Sequence, residues 1–153
     1  EVARDSEAGL VVMHMQGTPR TMQQQPHYED VVQEVRAFFA GRLRSLEAAG
    51  IDARRVALDP GFGFGKTLEH NRALLRALLT LRIQDRPLLV GVSRKSMLGK
   101  WVGSSDLEDR NWPTVALTAW MRERGAEIVR VHEVKPNVEA MRMAEAIGLL
   151  RVD

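Results

Sequence analysis

Val56–Ala57–Leu58–Asp59–Pro60–Gly61–Phe62–Gly63–Phe64–Gly65–Lys66 runs from an apolar stretch through a carboxylate into a loop with glycine at every second position. The apolar residues predict a buried strand over 55–59 that delivers Asp59 to its carboxyl end. Pro60 closes that strand because it cannot donate to a ladder. The alternating glycines let backbone approach a ligand closely. Two phosphate-binding patterns almost fit. A Walker loop needs glycine where Pro60 stands, and the G-x-G-x-x-G fingerprint needs its third glycine one residue after Gly65. Taken alone, the loop reads equally well as a tight strand-to-helix turn.

Working outward, the same alternation of apolar run and helical spacing recurs. Leu10–Val11–Val12–Met13–His14 reads as a strand, and 16–27, with Gly17, Pro19, Pro26 and four glutamines, as a long loop. Helical spacing of Val32, Val35, Phe39, Leu43 and Leu46 predicts a helix over 30–49, stopped at Gly50. A second helix is expected over 68–81, with Leu68, Leu75, Leu78 and Leu79 on or near one face. A third strand follows over 87–93, then a segment over 94–113 that is helical near 96–102. A helix over 114–124, a fourth strand over 128–132 and a last helix to Ile147, capped by Asn137, complete the pattern. The fold class is α/β, as four consecutive βα units with a parallel sheet covered by helices. Four units fit either a small open sheet or half of an eight-unit barrel, which needs about 250 residues. The opening residues 1–9 read as a helix tail, as if a preceding unit were missing, which favours the half barrel.

The 153 residues suggest a single domain over 1–153, and 44% hydrophobic content is enough for a core. No cysteine occurs, which excludes disulfides and thiolate metal sites and is compatible with a reducing cytoplasm. No apolar run is long enough for a bilayer, and the first residues do not resemble a secretory leader. Net charge is +2, and the eight aromatics (four Phe, three Trp, one Tyr) do not interleave with a basic patch. Nucleic acid and membrane are therefore not expected partners, whereas small anions are compatible with the charge.

Polar groups gather at the carboxyl end of every expected strand: Met13, His14 and Gln16; Asp59; Ser93, Arg94, Lys95 and Ser96; Arg130 and His132. Ligands bind at that edge in open α/β sheets and in barrels alike. Asp59 either accepts from an N–H-rich ligand edge or caps its own loop. Lys95 is a point cation or a solvated lysine. Ser96 is a carboxylate site at a helix start or a plain N-cap. Arg130 and His132, two apart on the expected strand, share a face and suit a phosphate or pyrophosphate, or else pair with Glu127 or Glu133. The four histidines lack metal spacing.

Met13–His14–Met15–Gln16–Gly17, the run Leu58 to Lys66, Gly91–Val92–Ser93–Arg94–Lys95–Ser96 and Arg130–Val131–His132–Glu133–Val134 occur in that order. Their spacing resembles the dihydropteroate synthase family over about 9–147. The resemblance implies the second half of a (β/α)8 TIM barrel. It implies condensation of 6-hydroxymethyl-7,8-dihydropterin pyrophosphate with 4-aminobenzoate, giving dihydropteroate for folate synthesis. By that likeness Met13, Asp59, Gly63, Phe64 and Lys95 bind the pterin, and Arg130 and His132 hold the pyrophosphate. Lys95, Arg130 and His132 are the catalytic set. Ser96, Arg94 and Arg110 lie near the aminobenzoate. The resemblance also implies a cytoplasmic homodimer packed through its last helices, a sulfonamide target, and Mg2+ held by a residue of the missing first half, with no metal ligand in this chain. The chain supplies only what resemble the last four strands, so the half alone is expected to be inactive. Trp112–Pro113–Thr114 replaces the small residues usual in the family at that helix start. The competing readings are a pterin-dependent methyltransferase of the same barrel family and a non-catalytic pterin-binding relative.

Overall fold

A computed structural model describes residues 2–148. Four strands, β1 (Leu10–Met13), β2 (Val56–Asp59), β3 (Leu88–Val90) and β4 (Ala126–Val129), form one parallel sheet in the order β1-β2-β3-β4. Its five α-helices are α1 (Val31–Ala48), α2 (Leu68–Arg76), α3 (Ser96–Val102), α4 (Asn111–Glu123) and α5 (Val134–Ile147). A doubly wound open sheet reverses its strand order at a switch point. Here each strand pairs with the next, and right-handed crossovers then place every helix on the same side. The other side stays open: Val11 of β1 and Ile128 of β4 are 54% and 41% exposed. This singly wound arrangement is that of a barrel, and it settles the choice left open by the sequence.

The core lies between sheet and helices. β2 is buried along its whole length. Val31, Val35, Phe39 and Leu43 of α1, each four residues on, press against Leu58, Leu88 and their neighbours in one cluster. α1 starts where Asp30 accepts from the N–H groups of Val32 and Gln33, at 2.9 and 3.1 Å. α2 starts with a capping box in which Thr67 Oγ1 accepts from His70 N and His70 Nδ1 accepts from Thr67 N. That cap fixes the end of the glycine loop.

The structure differs from the sequence reading at several element ends. Residues 2–6 form turns and bends and 7–9 carry no regular structure, so the opening is not a helix tail. The helix expected over 68–81 breaks after Arg76 into a 3-10 turn, Leu78–Leu81, which buries Leu74, Leu75, Leu78 and Leu81 and leaves Leu79 exposed. The third strand shortens to Leu88–Val90. α4 begins at Asn111, because Pro113 falls in the first turn, where no intrahelical N–H is needed. Asn137 is not a cap. It sits inside α5, where its amide donates to Glu133 O and its Oδ1 accepts from Thr118 Oγ1 at 2.7 Å, a buried bond tying α5 to α4. β4 ends at Val129, so Arg130 and His132 lie beyond the strand. The alternation argument for their shared face therefore does not apply. Arg130 N still donates to Val90 O at 2.9 Å, after which the chain turns into α5.

Candidate active site

The expected site residues follow the carboxyl ends of the four strands. Asp59 ends β2, 8% exposed, and its Oδ1 accepts from Gly61 N at 2.8 Å. One oxygen therefore caps the loop, the second of the two sequence readings, and among the described residues no donor engages Oδ2. Burial pushes the carboxyl up, against the Gly61 bond and the positive charges of Lys95, Arg130 and Lys66. Those three cations thus surround one carboxylate.

The glycine loop is forced into its path. Gly61 has φ +66°, and a Cβ there would lie 1.9 Å from the carbonyl oxygen of His14. No other residue fits so close to β1. Gly63 leaves room for Lys95, whose stem would meet an added Cβ at 3.3 Å. Lys95 Nζ donates to Phe62 O and stands 4.3 Å from the centre of the Phe64 ring. Burial lowers its pKa to about 8, with Asp59 opposing the shift. Met13 ends β1 and packs toward Gly61. Arg130 is exposed, and its guanidinium crosses Gly91, where a Cβ would meet Nε at 3.5 Å. His132 is exposed and bonded to Ser93.

A cleft of about 490 Å³ opens beside this group, lined among others by Gln23, Gly63, Phe64, Lys95 and Ser96. Asp59, Arg130 and His132 do not line it, whereas Lys95 does. Ser96, at the start of α3, is exposed to the cleft. Arg94 and Arg110 are engaged elsewhere. Arg94, at φ +57°, is held by Asn111 Oδ1 at 2.8 Å and Glu133 Oε1 at 2.6 Å. Arg110 donates to the carbonyls of Arg94 and Ser105, which makes it a brace for the turn carrying Lys95 and Ser96.

Lys66 received no role from the sequence, yet it is the buried anchor of the loop. It is 4% exposed, and its Nζ contacts Gly61 O and Phe64 O at 3.0 Å each, His14 Nδ1 at 3.0 Å and His14 O at 3.4 Å. Burial lowers Lys66 to about 7 and, together with the Lys66 charge, lowers His14 to about 4. His14 therefore stays neutral and offers a lone pair to the ammonium. A lysine closing a glycine run just before a helix cap was the available signal. Tyr28 and Gln23 gave none: Tyr28 Oη donates to Gly65 O and Gln23 Nε2 to Gly63 O, docking the 16–27 loop on the glycine loop by contacts that only tertiary folding creates. No three His, Cys, Asp or Glu side chains gather into a metal cage among the described residues.

The family model described as "Pterin binding enzyme" matches residues 1–132. The chain belongs to the pterin binding enzyme family. Within it, a dihydropteroate synthase of Neisseria meningitidis serogroup C is 47% identical over 97% of this chain and 53% of its own length. Yersinia pestis dihydropteroate synthase, solved with a sulfonamide drug complex, superposes with a TM-score of 0.87 at 44% identity, over 91% of this chain and 50% of that one. The Burkholderia cenocepacia enzyme, complexed with 7,8-dihydropteroate, gives 0.86 at 46% identity, over 94% and 54%. The chain spans about half the length of the curated relatives it matches. Its four βα units correspond to half of the TIM barrel seen in those structures.

Proposed function

We propose that the protein carrying this chain condenses 6-hydroxymethyl-7,8-dihydropterin pyrophosphate with 4-aminobenzoate, releasing pyrophosphate and giving 7,8-dihydropteroate for folate synthesis. The observation that carries the reading is the half-used carboxylate of Asp59 beside Lys95 at the glycine loop. Asp59 Oδ2 accepts from the amine edge of the pterin. Lys95 donates to its carbonyl and ring nitrogen, and Phe64, Gly63 and Met13 line the slot. Arg130 and His132 bind the pyrophosphate and stabilise the negative charge that grows as the C–O bond breaks. The aminobenzoate nitrogen attacks the pterin methylene, forms the C–N bond and loses a proton. The cleft bounded by Ser96 would hold its carboxylate end, with Arg94 and Arg110 bracing the turn that carries Ser96.

Magnesium, which the resemblance implies, finds no cage in the described residues. Its ligand belongs, in this proposal, to sequence outside this chain, and no step here depends on it. The proposal includes a cytoplasmic homodimer, for which the exposed apolar side chains Met143 and Ile147 of α5, four residues apart, offer a packing face. No helix among the described residues is long and apolar enough to cross a membrane. Sulfonamides, seen bound to a relative, are expected to compete with aminobenzoate. The cationic group around Asp59 counts against the methyltransferase reading, because methyl transfer has no pyrophosphate to hold.

Arg130→Ala is expected to weaken binding of the pyrophosphorylated pterin, since a charge-assisted bond to phosphate contributes roughly 1.5–3 kcal/mol. Binding of the bare pterin should change far less. Arg130→Lys should recover only part, lacking the planar two-point contact. Titration calorimetry with both ligands decides it, and equal losses for the two would assign Arg130 to the slot or the fold instead.

Pterin affinity should also fall as pH rises through about 8, where Lys95 loses its proton. The ammonium is present below that pH and absent above it, so affinity is high on the acid side. In Lys95→Arg, whose guanidinium stays charged, the fall should disappear from this range. A decline unchanged in that variant would belong to another group.

A further inference from the structure

Ser93 and His132 meet across the segments that follow β3 and β4. Ser93 Oγ accepts from the backbone N–H of His132 at 3.2 Å and lies 2.9 Å from His132 Nδ1. The hydroxyl thus receives one N–H and still has its own proton to place. Among the described residues the only acceptor within hydrogen-bonding distance of it is Nδ1. A neutral imidazole carries one N–H, and the partner at one nitrogen decides which nitrogen holds it.

We propose that Ser93 is a positioning residue that donates to Nδ1 and so holds neutral His132 as the Nε2–H tautomer, ready to donate to the leaving pyrophosphate. This rests on the reading that His132 binds that anion. The opposite tautomer would present a lone pair to the phosphate oxygens and repel them. The two segments are joined independently of Ser93. Arg94 reaches Glu133 at 2.6 Å, and Arg130 N reaches Val90 O at 2.9 Å. Removing the Ser93 hydroxyl therefore frees the ring without parting the segments.

The test uses the full-length protein labelled with 15N-histidine, at pH 8, with the His132 signal assigned by its loss in His132→Gln. Long-range proton–nitrogen spectra should show wild-type Nδ1 unprotonated and Nε2 protonated. In Ser93→Ala the two tautomers should mix. Affinity for the pyrophosphorylated pterin should then fall roughly three- to tenfold, the scale of one neutral hydrogen bond. Affinity for the bare pterin should hold. Ser93→Thr, which restores a hydroxyl, should recover both the spectrum and the affinity. A protonated Nδ1 in the wild type, or a spectrum unmoved by Ser93→Ala, overturns the proposal. His132→Ala separates the two layers. If it weakens anion binding while Ser93→Ala does not, only the positioning role fails. If it leaves anion binding intact, the anion reading of His132 fails with it.

Discussion

Asp59→Asn is expected to lower pterin affinity by roughly a hundredfold. The substitution keeps shape and the Oδ1 cap on Gly61, so the loop survives. It replaces a charged acceptor with an N–H donor that faces the donors of the pterin edge. Losing the charged acceptor and leaving donors unpaired costs roughly 1–3 kcal/mol each, and about 1.4 kcal/mol is tenfold. Burial already disfavours the charge on Asp59, so the variant should not lose stability from its neutralisation. Circular dichroism should be unchanged while calorimetry with a pterin shows the loss. Undiminished affinity in a folded variant would remove Asp59 from the ligand and leave it only the loop cap.

The second large effect is expected at Lys66. Lys66→Met keeps most of the buried stem but leaves Phe64 O and two groups of His14 without a donor, and Gly61 O with only its bond from Phe64 N. Each buried polar group left unpaired costs roughly 1–3 kcal/mol, so a stability loss of about 3 kcal/mol or more follows. Lost affinity should accompany it, because the same carbonyl groups fix the path that carries Gly63 and Phe64 past Lys95. Chemical denaturation and pterin titration measure the two effects. A variant as stable as the wild type would show that the loop is held by its glycine geometry and the Tyr28 and Gln23 contacts alone.

How legible this was in the sequence depended on the range of the forces involved. The strand before Asp59 could be read because burial on both faces leaves a continuous apolar run, and the one around Leu10 because it is apolar throughout even though Val11 and Met13 face the open side. α1 was legible through its helical spacing and the stop at Gly50, while its cap at Asp30 emerges only in the structure. The phase was partly misjudged, since Val31 and not Val32 takes the inner position. The breaks were less visible. The turn at Leu78–Leu81 keeps leucines at nearly helical spacing while changing the backbone. β4 ends early because Ser93 and α5 draw the chain away, which no local pattern around Val129 announces. At the site, the residue types at the strand ends were readable, and so was Asp59 at the loop. Which of them face one another was not. Lys66 beneath the loop, and Arg94 and Arg110 engaged in bracing the turn, are consequences of packing between segments far apart in the chain.

The role proposed for this site is pterin condensation. The most direct measurement incubates the full-length protein with 6-hydroxymethyl-7,8-dihydropterin pyrophosphate and 4-aminobenzoate and follows the products by mass spectrometry. Equal amounts of 7,8-dihydropteroate and pyrophosphate are expected, lost in Asp59→Asn and suppressed by a sulfonamide that competes with aminobenzoate. A folded protein that binds the pterin but forms no dihydropteroate would contradict that role and favour a non-catalytic pterin binder.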